Sequence, residues 1–283
     1  MKTISSVEAS LYMVSIGFNG NTAFIDPFGA YVKEVYLGSK QLLMASPDGR
    51  QTHGGCAILA PFANRIRNGI YRFDEKTYEI PRNSGNNAIH GFLKDEPWTV
   101  VKTSPCSTTL ENTFESPYFP SRLVSSVVYT VKENRFEAQY SATNEGDEPV
   151  PFMLGFHPYF LVGNHWKISG CPDALKMNCV DEFFPDGTST ITDLSYLSSN
   201  GAVLDSCFSC RGDLVVESDL NILRLSRDNM PYLQIYNGHY CQGISLAIEP
   251  MTAVPDCFNN GIGLITLHPG DRFKGGFTVT ILG

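Results

Sequence analysis

The chain has 283 residues, of which 42% are hydrophobic and 18% charged, and its formal net charge is −8 at pH 7. This length can bury a large core within one all-β domain, and the composition is ordinary for a globular protein. The negative charge argues against nucleic acid and anionic membrane surfaces as partners, so a small molecule is the more natural ligand.

The N-terminal stretch carries no targeting signal that we can identify. Glu8 and the serines near it interrupt the stretch before the apolar segment of a secretory signal can form. No apolar run in the chain approaches the roughly 20 residues of a transmembrane helix. These observations predict a cytoplasmic protein.

Eight cysteines are scattered along the chain, too sparsely for a disulfide scaffold. Cys207 and Cys210 form a CxxC, but no second CxxC or nearby histidine pair completes a zinc site. No helix follows them, as a redox motif would require. We therefore expect reduced and mostly buried cysteines in a reducing compartment.

Runs of β-branched and aromatic residues recur along the chain, which is the pattern of strands. The predicted strands lie at residues 11–16, 31–37, 98–101, 214–217, 222–225, 232–236 and 277–281. Two hairpins are also predicted, residues 70–73 with 77–80 across a turn at 74–76, and residues 126–131 with 136–140 across 132–135.

The chain offers no sign of helices or of division into parts. No window of a dozen residues combines helical periodicity with caps, and no low-complexity linker or shift in composition interrupts the chain. The prediction is one domain over residues 1–283, an all-β, antiparallel β-sandwich. A fold class alone names no function.

Four polar segments stand out among the strands. Glu249 ends an apolar run and enters a turn bounded by prolines, where a sheet gives way to a loop and catalytic groups are common. Arg65 lies just before the first hairpin, although a surface arginine is the plainer interpretation. His90 precedes Gly91, which permits close approach of another group.

The fourth segment embeds His157 among apolar residues, so burial should lower its pKa unless a carboxylate opposes that shift. A histidine in such surroundings is more often a hydrogen-bonded core residue than a catalyst. Together with Glu249 and His90 it could nevertheless provide a proton acceptor and a proton donor. Zinc binding by these three residues is conceivable, but without a local two-ligand motif such as HExxH we favour a metal-free site.

Six segments also follow one another in a distinctive order and spacing. They are Asn64-Arg65-Ile66 before Gly69, Tyr71 and Phe73; His90-Gly91 before Trp98; Gly155-Phe156-His157-Pro158-Tyr159-Phe160; Asp205-Ser206-Cys207-Phe208; residues 232–236; and residues 249–259, which begin Glu249-Pro250. In this arrangement the chain resembles the aldose 1-epimerases (galactose mutarotases).

The resemblance implies a galactose-mutarotase-like β-sandwich that interconverts the α and β anomers of an aldose such as glucose or galactose. By the same resemblance, Glu249 is the general base that takes the proton of the C1 hydroxyl, and His157 is the general acid that protonates the ring oxygen. Arg65, His90 and Asp205 would hold the ring oxygen and other hydroxyls of the sugar. No metal or organic cofactor is implied, because both steps are proton transfers.

The chain also departs from the family pattern. An apolar stretch precedes His157, whereas galactose-type members tend to carry an Asn-rich one. Arg67 and Lys94 lie near the motif residues, where they could face solvent or meet the phosphate or sulfonate of a substituted sugar. Three alternatives therefore stay open, namely a related carbohydrate isomerase or a mutarotase for an anionic sugar, a non-catalytic sugar-binding sandwich, and a structural β domain. Neither the identity of the aldose nor the oligomeric state has a signature in the sequence.

Overall fold

The computed structural model describes residues 12–201 and 203–282, so Leu11, at the start of the first predicted strand, lies outside the described residues. In chain order the first strands are β1 (Val14–Phe18), β2 (Asn21–Asp26), β3 (Tyr31–Leu37), β4 (Lys40–Gln41), β5 (Cys56–Leu59), β6 (Arg65–Ile66), β7 (Ile70–Phe73), β8 (Lys76–Glu79), β9 (Ala88–Ile89), β10 (Thr99–Ser104), β11 (Ser107–Phe114), β12 (Leu123–Lys132) and β13 (Arg135–Asn144).

The second half of the chain continues with β14 (Val150–Phe152), β15 (Gly155–Leu161), β16 (Trp166–Ser169), β17 (Ala174–Val180), β18 (Phe184–Thr192), β19 (Asp205–Ser209), β20 (Leu214–Ser218), β21 (Ile222–Asp228), β22 (Tyr232–Tyr236), β23 (Ser245–Met251), the short helix α1 (Cys257–Asn260), β24 (Ile265–Leu267) and β25 (Arg272–Ile281). Across residues 12–201 and 203–282, no helix is long and apolar enough to cross a membrane.

Most strands belong to two antiparallel sheets. The larger sheet has the order β1-β2-β3-β5-β15-β23-β22-β19-β17-β18, with β4 added beside β3, and the smaller has the order β10-β11-β12-β13-β25-β21-β20-β16. The sheets pack face to face, since the rings of Phe156 and Phe277, one from each sheet, lie 5.0 Å apart. Tyr129 of β12 also donates to the carbonyl oxygen of Ala30 beside β3, at 2.7 Å. The predicted all-β sandwich is confirmed.

Both predicted hairpins are present, with tighter turns than expected. In the first, Phe73 pairs with Lys76, so the turn contains only Asp74 and Glu75. Both residues have positive φ, 47° and 63°, as the two-residue turns that match strand twist require. In the second, Lys132 pairs with Arg135, and each strand is longer than predicted.

One expectation about the cysteines is wrong. Cys171 and Cys210 form a disulfide, with their Cα atoms 5.8 Å apart, within the usual range for such bridges. Cys171 follows β16 of the smaller sheet and Cys210 follows β19 of the larger, so the bridge joins the two sheets. Sequence spacing suggested only Cys207 as a neighbour for Cys210, because it cannot show which strand ends meet. The cysteines therefore no longer argue for a reducing compartment.

Candidate active site

His157 and Glu249 face each other on neighbouring strands of the larger sheet. In the pairing of β15 with β23, Gly155 lies opposite Met251 and Tyr159 opposite Ala247, which brings His157 directly opposite Glu249. Side chains at directly opposite positions are close neighbours on one face of a sheet. The histidine Nε2 lies 3.5 Å from the glutamate Oε1, and the two residues are only 5% and 3% exposed.

The next two strands extend this polar row. Gln234 of β22 lies opposite Glu249, and its amide Nε2 donates to Oδ1 of Asp205, at the start of β19, over 2.5 Å. Four adjacent strands, β15, β23, β22 and β19, therefore present polar side chains to one region. Backbone pairing holds these side chains, so the site is built on a rigid part of the fold.

Arg65 and His90 reach the same region from the small pair β6–β9. Asn64 Oδ1 accepts hydrogen bonds from the backbone N and from Nη1 of Arg65, at 2.9 and 3.3 Å. The guanidinium carbon lies 3.8 Å from the centre of the Phe183 ring. The His90 ring lies edge-on to His157, with centroids 5.3 Å apart. Arg65 is thus held from two sides, and the two imidazoles lie in contact.

The backbone that presents His90 is unusual. Asn64, His90 and Gly91 all have positive φ, 54°, 66° and 63°, and non-glycine residues in this region often mark functional sites. A Cβ on Gly91 would collide with the carbonyl oxygen of Ala60. Glycine is therefore required at this position, and the His-Gly pair reflects this close packing.

Four polar atoms at the centre of the site lack a partner. Within the described residues no hydrogen bond reaches Nδ1 of His90, Nδ1 of His157, Oε1 of Gln234 or Oε2 of Glu249, although all four atoms are buried. Buried polar side-chain atoms are bonded in the large majority of cases. Their convergence indicates a place where the polar groups of a ligand complete the hydrogen bonding.

A cavity of about 960 Å³ is lined by three of these four residues, His90, His157 and Glu249. All five site residues expected from the sequence line it, namely Arg65, His90, His157, Asp205 and Glu249. Lys94 lines it as well, whereas the guanidinium of Arg67 pairs with Asp181 at 3.1 Å and lies over the Phe184 ring. Over residues 12–201 and 203–282, no three His, Cys, Asp or Glu side chains form a group that could hold a metal ion.

Burial shifts the protonation of both members of the central pair. It raises the pKa of Glu249 well above its ordinary value; the nearby Asp205 raises it further, and Arg65 opposes the shift. Burial also lowers the pKa of His157 to about 3, the direction expected from its apolar surroundings. The pKa of His90 is likewise lowered, first by burial and then by repulsion from His157. The pKa shifts of Glu249 and His157 both favour the state of this pair in which neither side chain is charged.

Sequence reasoning missed two residues that support this arrangement, Gln234 and Asn64. Gln234 is 4% exposed and sits in the middle of β22 between apolar neighbours. A lone glutamine inside an otherwise apolar and aromatic strand was the available signal. Asn64 opens the first motif, but the sequence did not indicate its role, which depends on the folded position of Arg65.

Comparison with known proteins agrees with the fold and identifies the family. The family model described as aldose 1-epimerase matches residues 12–280. The chain is 28% identical to the uncharacterized protein YihR of Escherichia coli strain K12 over 94% of this chain and 92% of that one. It is 30% identical to the aldose 1-epimerase of the same strain, over 86% and 83%.

Solved structures share the fold. An aldose epimerase homologue from C. elegans superposes with a TM-score of 0.82 at 22% identity, covering 95% of this chain and 98% of that one. A galactose mutarotase-like protein from Clostridium acetobutylicum gives a TM-score of 0.79 at 23% identity, covering 96% and 98%. The motif order, the galactose-mutarotase-like sandwich and the family match lead to one conclusion: the chain belongs to the aldose 1-epimerase family of isomerases.

Proposed function

We propose that this protein interconverts the α and β anomers of an aldose such as glucose or galactose by opening and reclosing the sugar ring. The observation that carries the proposal is the opposed pair of Glu249 and His157. Their facing atoms lie 3.5 Å apart, and each side chain has one buried atom that no described residue hydrogen-bonds and that a ligand could reach. The reaction needs one group to remove a proton and a second to supply one.

Glu249 and His157 share one proton in this proposal. The pair has two states, which differ in which of the two side chains carries that proton. When the proton is on His157, the Glu249 carboxylate takes the proton of the C1 hydroxyl while the imidazolium protonates the ring oxygen. The bond from C1 to the ring oxygen breaks, which leaves the open-chain aldehyde and an uncharged pair. Burial favours that uncharged form, so ring opening moves the pair toward its preferred state.

Reclosure uses the same groups in reverse. After rotation about the C1–C2 bond, the hydroxyl derived from the ring oxygen attacks the other face of the aldehyde. His157 accepts the proton of that hydroxyl, and Glu249 protonates the carbonyl oxygen. The pair returns to its charged form, and no proton is gained or lost over the cycle.

The remaining residues bind the sugar in this proposal. Arg65 and His90 contact the ring oxygen and neighbouring hydroxyls, and the Asp205 carboxylate accepts hydrogen bonds from others. Charged partners give stronger hydrogen bonds than neutral ones. Gln234 fixes the orientation of Asp205 through the bond between their side chains.

The test is mutarotation of freshly dissolved α-glucose, α-galactose and further aldoses, followed by polarimetry or by NMR saturation exchange between anomers. Glu249→Gln should lower the rate by about 10²–10⁴-fold, the contribution of one acid–base group. Glu217→Gln is the matched control, because Glu217 of β20 pairs with exposed Lys167 at 2.8 Å and lies outside the cavity. Equal rates for wild type, Glu249→Gln and buffer, with every sugar, would contradict the proposal.

Calorimetry on the same sugars separates the alternatives. Binding without acceleration would indicate a non-catalytic sugar-binding protein, although binding alone needs no opposed carboxylate and imidazole. Absence of both sugar binding and rate acceleration would indicate a structural domain.

A sugar with an anionic substituent is the second candidate substrate, and Lys94 is the observation that favours it. Lys94 is 8% exposed and lines the cavity, where it contacts Asp95. Arg67 is already paired with Asp181 outside the cavity. Activity restricted to 6-phosphorylated or 6-sulfonated sugars, lost in Lys94→Gln but kept in Arg67→Gln, would select this candidate.

A further inference from the structure

The turn between β17 and β18 packs against the segment that carries Arg65. Phe183 lies in this turn, and Phe184 begins β18. The guanidinium carbon of Arg65 lies 3.8 Å from the centre of the Phe183 ring. That of Arg67 lies 4.0 Å from the centre of the Phe184 ring. Two arginines on one segment therefore stack on two adjacent aromatic rings of another.

The backbone turns both arginines toward the same side. Arg65 belongs to β6, and Ile66 after it is extended, with φ −114° and ψ 121°. Side chains two residues apart along an extended segment share a face. The backbone N–H of Asp256 donates to the carbonyl oxygen of Arg65 at 2.8 Å, and Oδ1 of Asp256 accepts from the backbone N–H of Arg67 at 2.9 Å. Asp256 thus fixes the segment that presents the two guanidinium groups.

Arg67 ties the turn to this segment. One face of its guanidinium lies over Phe184, and at its edge Nη1 lies 3.1 Å from Oδ2 of Asp181 in the turn. Arg67 does not line the cavity. Both its face and its edge are therefore engaged by the turn, and its contacts anchor the turn beside β6.

The guanidinium of Arg65 differs from that of Arg67, because its edge remains available. Arg65 lines the cavity, and among the described residues its guanidinium donates only to Asn64 Oδ1, at 3.3 Å. The N–H donors of a guanidinium lie in its plane, whereas a stacked ring contacts only its face. Phe183 therefore holds Arg65 without occupying those donors, some of which a carboxylate in its place would take.

Negative charge lies on the other side of Arg65. Burial lowers the pKa of Arg65, and Asp205 and then Glu249 oppose that shift. No ion pair joins Arg65 to Asp205 within residues 12–201 and 203–282. A guanidinium without support from Phe183 is free to turn and pair with Asp205, which would occupy donors that a sugar needs.

Phe183 itself does not line the cavity. Its ring supports the guanidinium of Arg65 from the side away from a ligand, so its effect on a ligand must pass through Arg65. A side chain that is held in place before binding loses less rotational freedom when the ligand arrives. The stack therefore prepares Arg65 for binding.

We propose that Phe183 is a positioning residue for Arg65, whose guanidinium it holds with the free N–H donors directed at the ring oxygen and neighbouring hydroxyls of the aldose. Arg67, Asp181 and Phe184 anchor the turn that carries Phe183. The inference rests on the proposed function, because only in that function does Arg65 contact a sugar.

The first test compares kcat and KM of wild type, Phe183→Leu and Phe183→Tyr for the aldose that wild type epimerises fastest. Phe183→Leu keeps apolar bulk but removes the aromatic face. KM should rise by about three- to tenfold with kcat nearly unchanged, because binding must then order the Arg65 side chain. Phe183→Tyr restores the ring and should restore KM. An unchanged KM in Phe183→Leu, or a loss confined to kcat, overturns the positioning role.

A double-mutant cycle with Arg65→Ala tests whether Phe183 acts through Arg65. Arg65→Ala should raise KM, and adding Phe183→Leu should raise it no further, because the side chain that the ring supports is already absent. Purely additive effects would show that the ring acts independently of Arg65 and would overturn the proposal.

Tyr196→Leu is the matched control. Tyr196 lies between β18 and β19, is 82% exposed and does not line the cavity, so this loss of an aromatic ring should leave KM unchanged. Asp181→Asn should raise KM less than Phe183→Leu does, because an exposed ion pair contributes little. A larger rise in Asp181→Asn would assign the positioning to the ion pair and overturn the role of the ring.

NMR of the arginine side chains in ¹⁵N-labelled protein measures the stack without any sugar. The ring current of Phe183 should displace the Nε–H resonance of Arg65. Phe183→Leu should remove this displacement, whereas Tyr196→Leu should leave it. An Arg65 resonance that Phe183→Leu does not move would overturn the stack.

Failure of this inference is distinguishable from failure of the proposed function. Additive effects in the cycle, with wild type active, overturn the role of Phe183 and leave the epimerase activity standing. No acceleration by wild type with any sugar overturns the proposed function and the positioning role together.

Discussion

Two pairs of neighbouring strands, one in each sheet, differ in what covers the face that is turned away from the core. Along β12 and β13 buried residues alternate with more exposed ones, because one face packs in the core and the other meets solvent. Along β15 and β23 nearly every residue is buried. One face of this pair packs in the core and the other faces the cavity, beneath the segments that carry Arg65, His90 and His53.

The polar groups of the two strand pairs differ in the same way. In the core of the smaller sheet, Tyr140 of β13 donates to Ser125 Oγ of β12 at 2.6 Å. On β15 and β23, His157 and Glu249 each keep a buried atom without a partner among the described residues. A satisfied pair contributes to stability, whereas an unsatisfied one costs stability and is available to a ligand. The Tyr140–Ser125 pair thus stabilises the fold, whereas the His157–Glu249 pair costs stability and is available to a ligand.

The largest expected effect on stability comes from the smaller sheet. Phe136 of β13 is 1% exposed, and its ring lies 5.9 Å from that of Tyr129 and 6.4 Å from that of Phe277. Phe136→Ala should lower the free energy of unfolding by about 3–5 kcal/mol through lost burial and a residual cavity. Urea denaturation measures this, while KM for the preferred sugar should stay the same. A changed KM would show that the two regions are coupled.

An effect that is smaller per pH unit should distinguish the site by its pH dependence. The folded protein holds His157 at a pKa of about 3, against 6.5 for an ordinary histidine. Between these values the unfolded chain binds a proton that the folded chain rejects, so stability is lost as the pH falls through this window. The slope from this one group is at most about 1.4 kcal/mol per pH unit. His157→Gln should remove it.

The measurement is the free energy of unfolding of wild type and His157→Gln from pH 3.5 to 6.5. Their difference should change steadily across the window, because His157→Gln removes the imidazole of His157 and also the repulsion that lowers the pKa of His90, and both changes act in the same direction. A difference that is independent of pH would contradict the lowered pKa of His157.

The smallest effect concerns a satisfied pair of the smaller sheet. Tyr140→Phe removes the hydroxyl that bonds Ser125 and should lower the free energy of unfolding by about 1 kcal/mol or somewhat more, because Ser125 is left buried without its partner. The double variant Tyr140→Phe, Ser125→Ala should recover part of this loss, since no polar group is then left unpaired. Full additivity of the two single substitutions would show that the bond contributes nothing.

Much of this picture was accessible before the structure. Alternation along residues 126–131 and 136–140 predicted β12 and β13, because a strand with one solvated face has a period of two. Strand β22 was predicted with its observed bounds. The five polar residues of the motifs also line one cavity, although their individual roles remain proposals. Resemblance of motif order, more than any single pattern, made that grouping possible.

Other features had no sequence signal. Cys210 bonds to Cys171 rather than remaining reduced, Gln234 holds Asp205, and His53 joins the cavity through Asp48 and Tyr240. Each depends on contacts between segments far apart in the chain. Such contacts follow from strand order and register, which local propensity does not specify.

By itself the sequence determined an all-β sandwich and the family, because side-chain periodicity and the order of short motifs are local properties of the chain. Only the tertiary structure decided that Glu249 stands opposite His157, that Lys94 faces the cavity while Arg67 does not, and that His53 is a third imidazole on its wall. The physical reason is that distance between side chains is set by which strands pair and in what register. Protonation follows in turn from burial, which exists only in the folded chain.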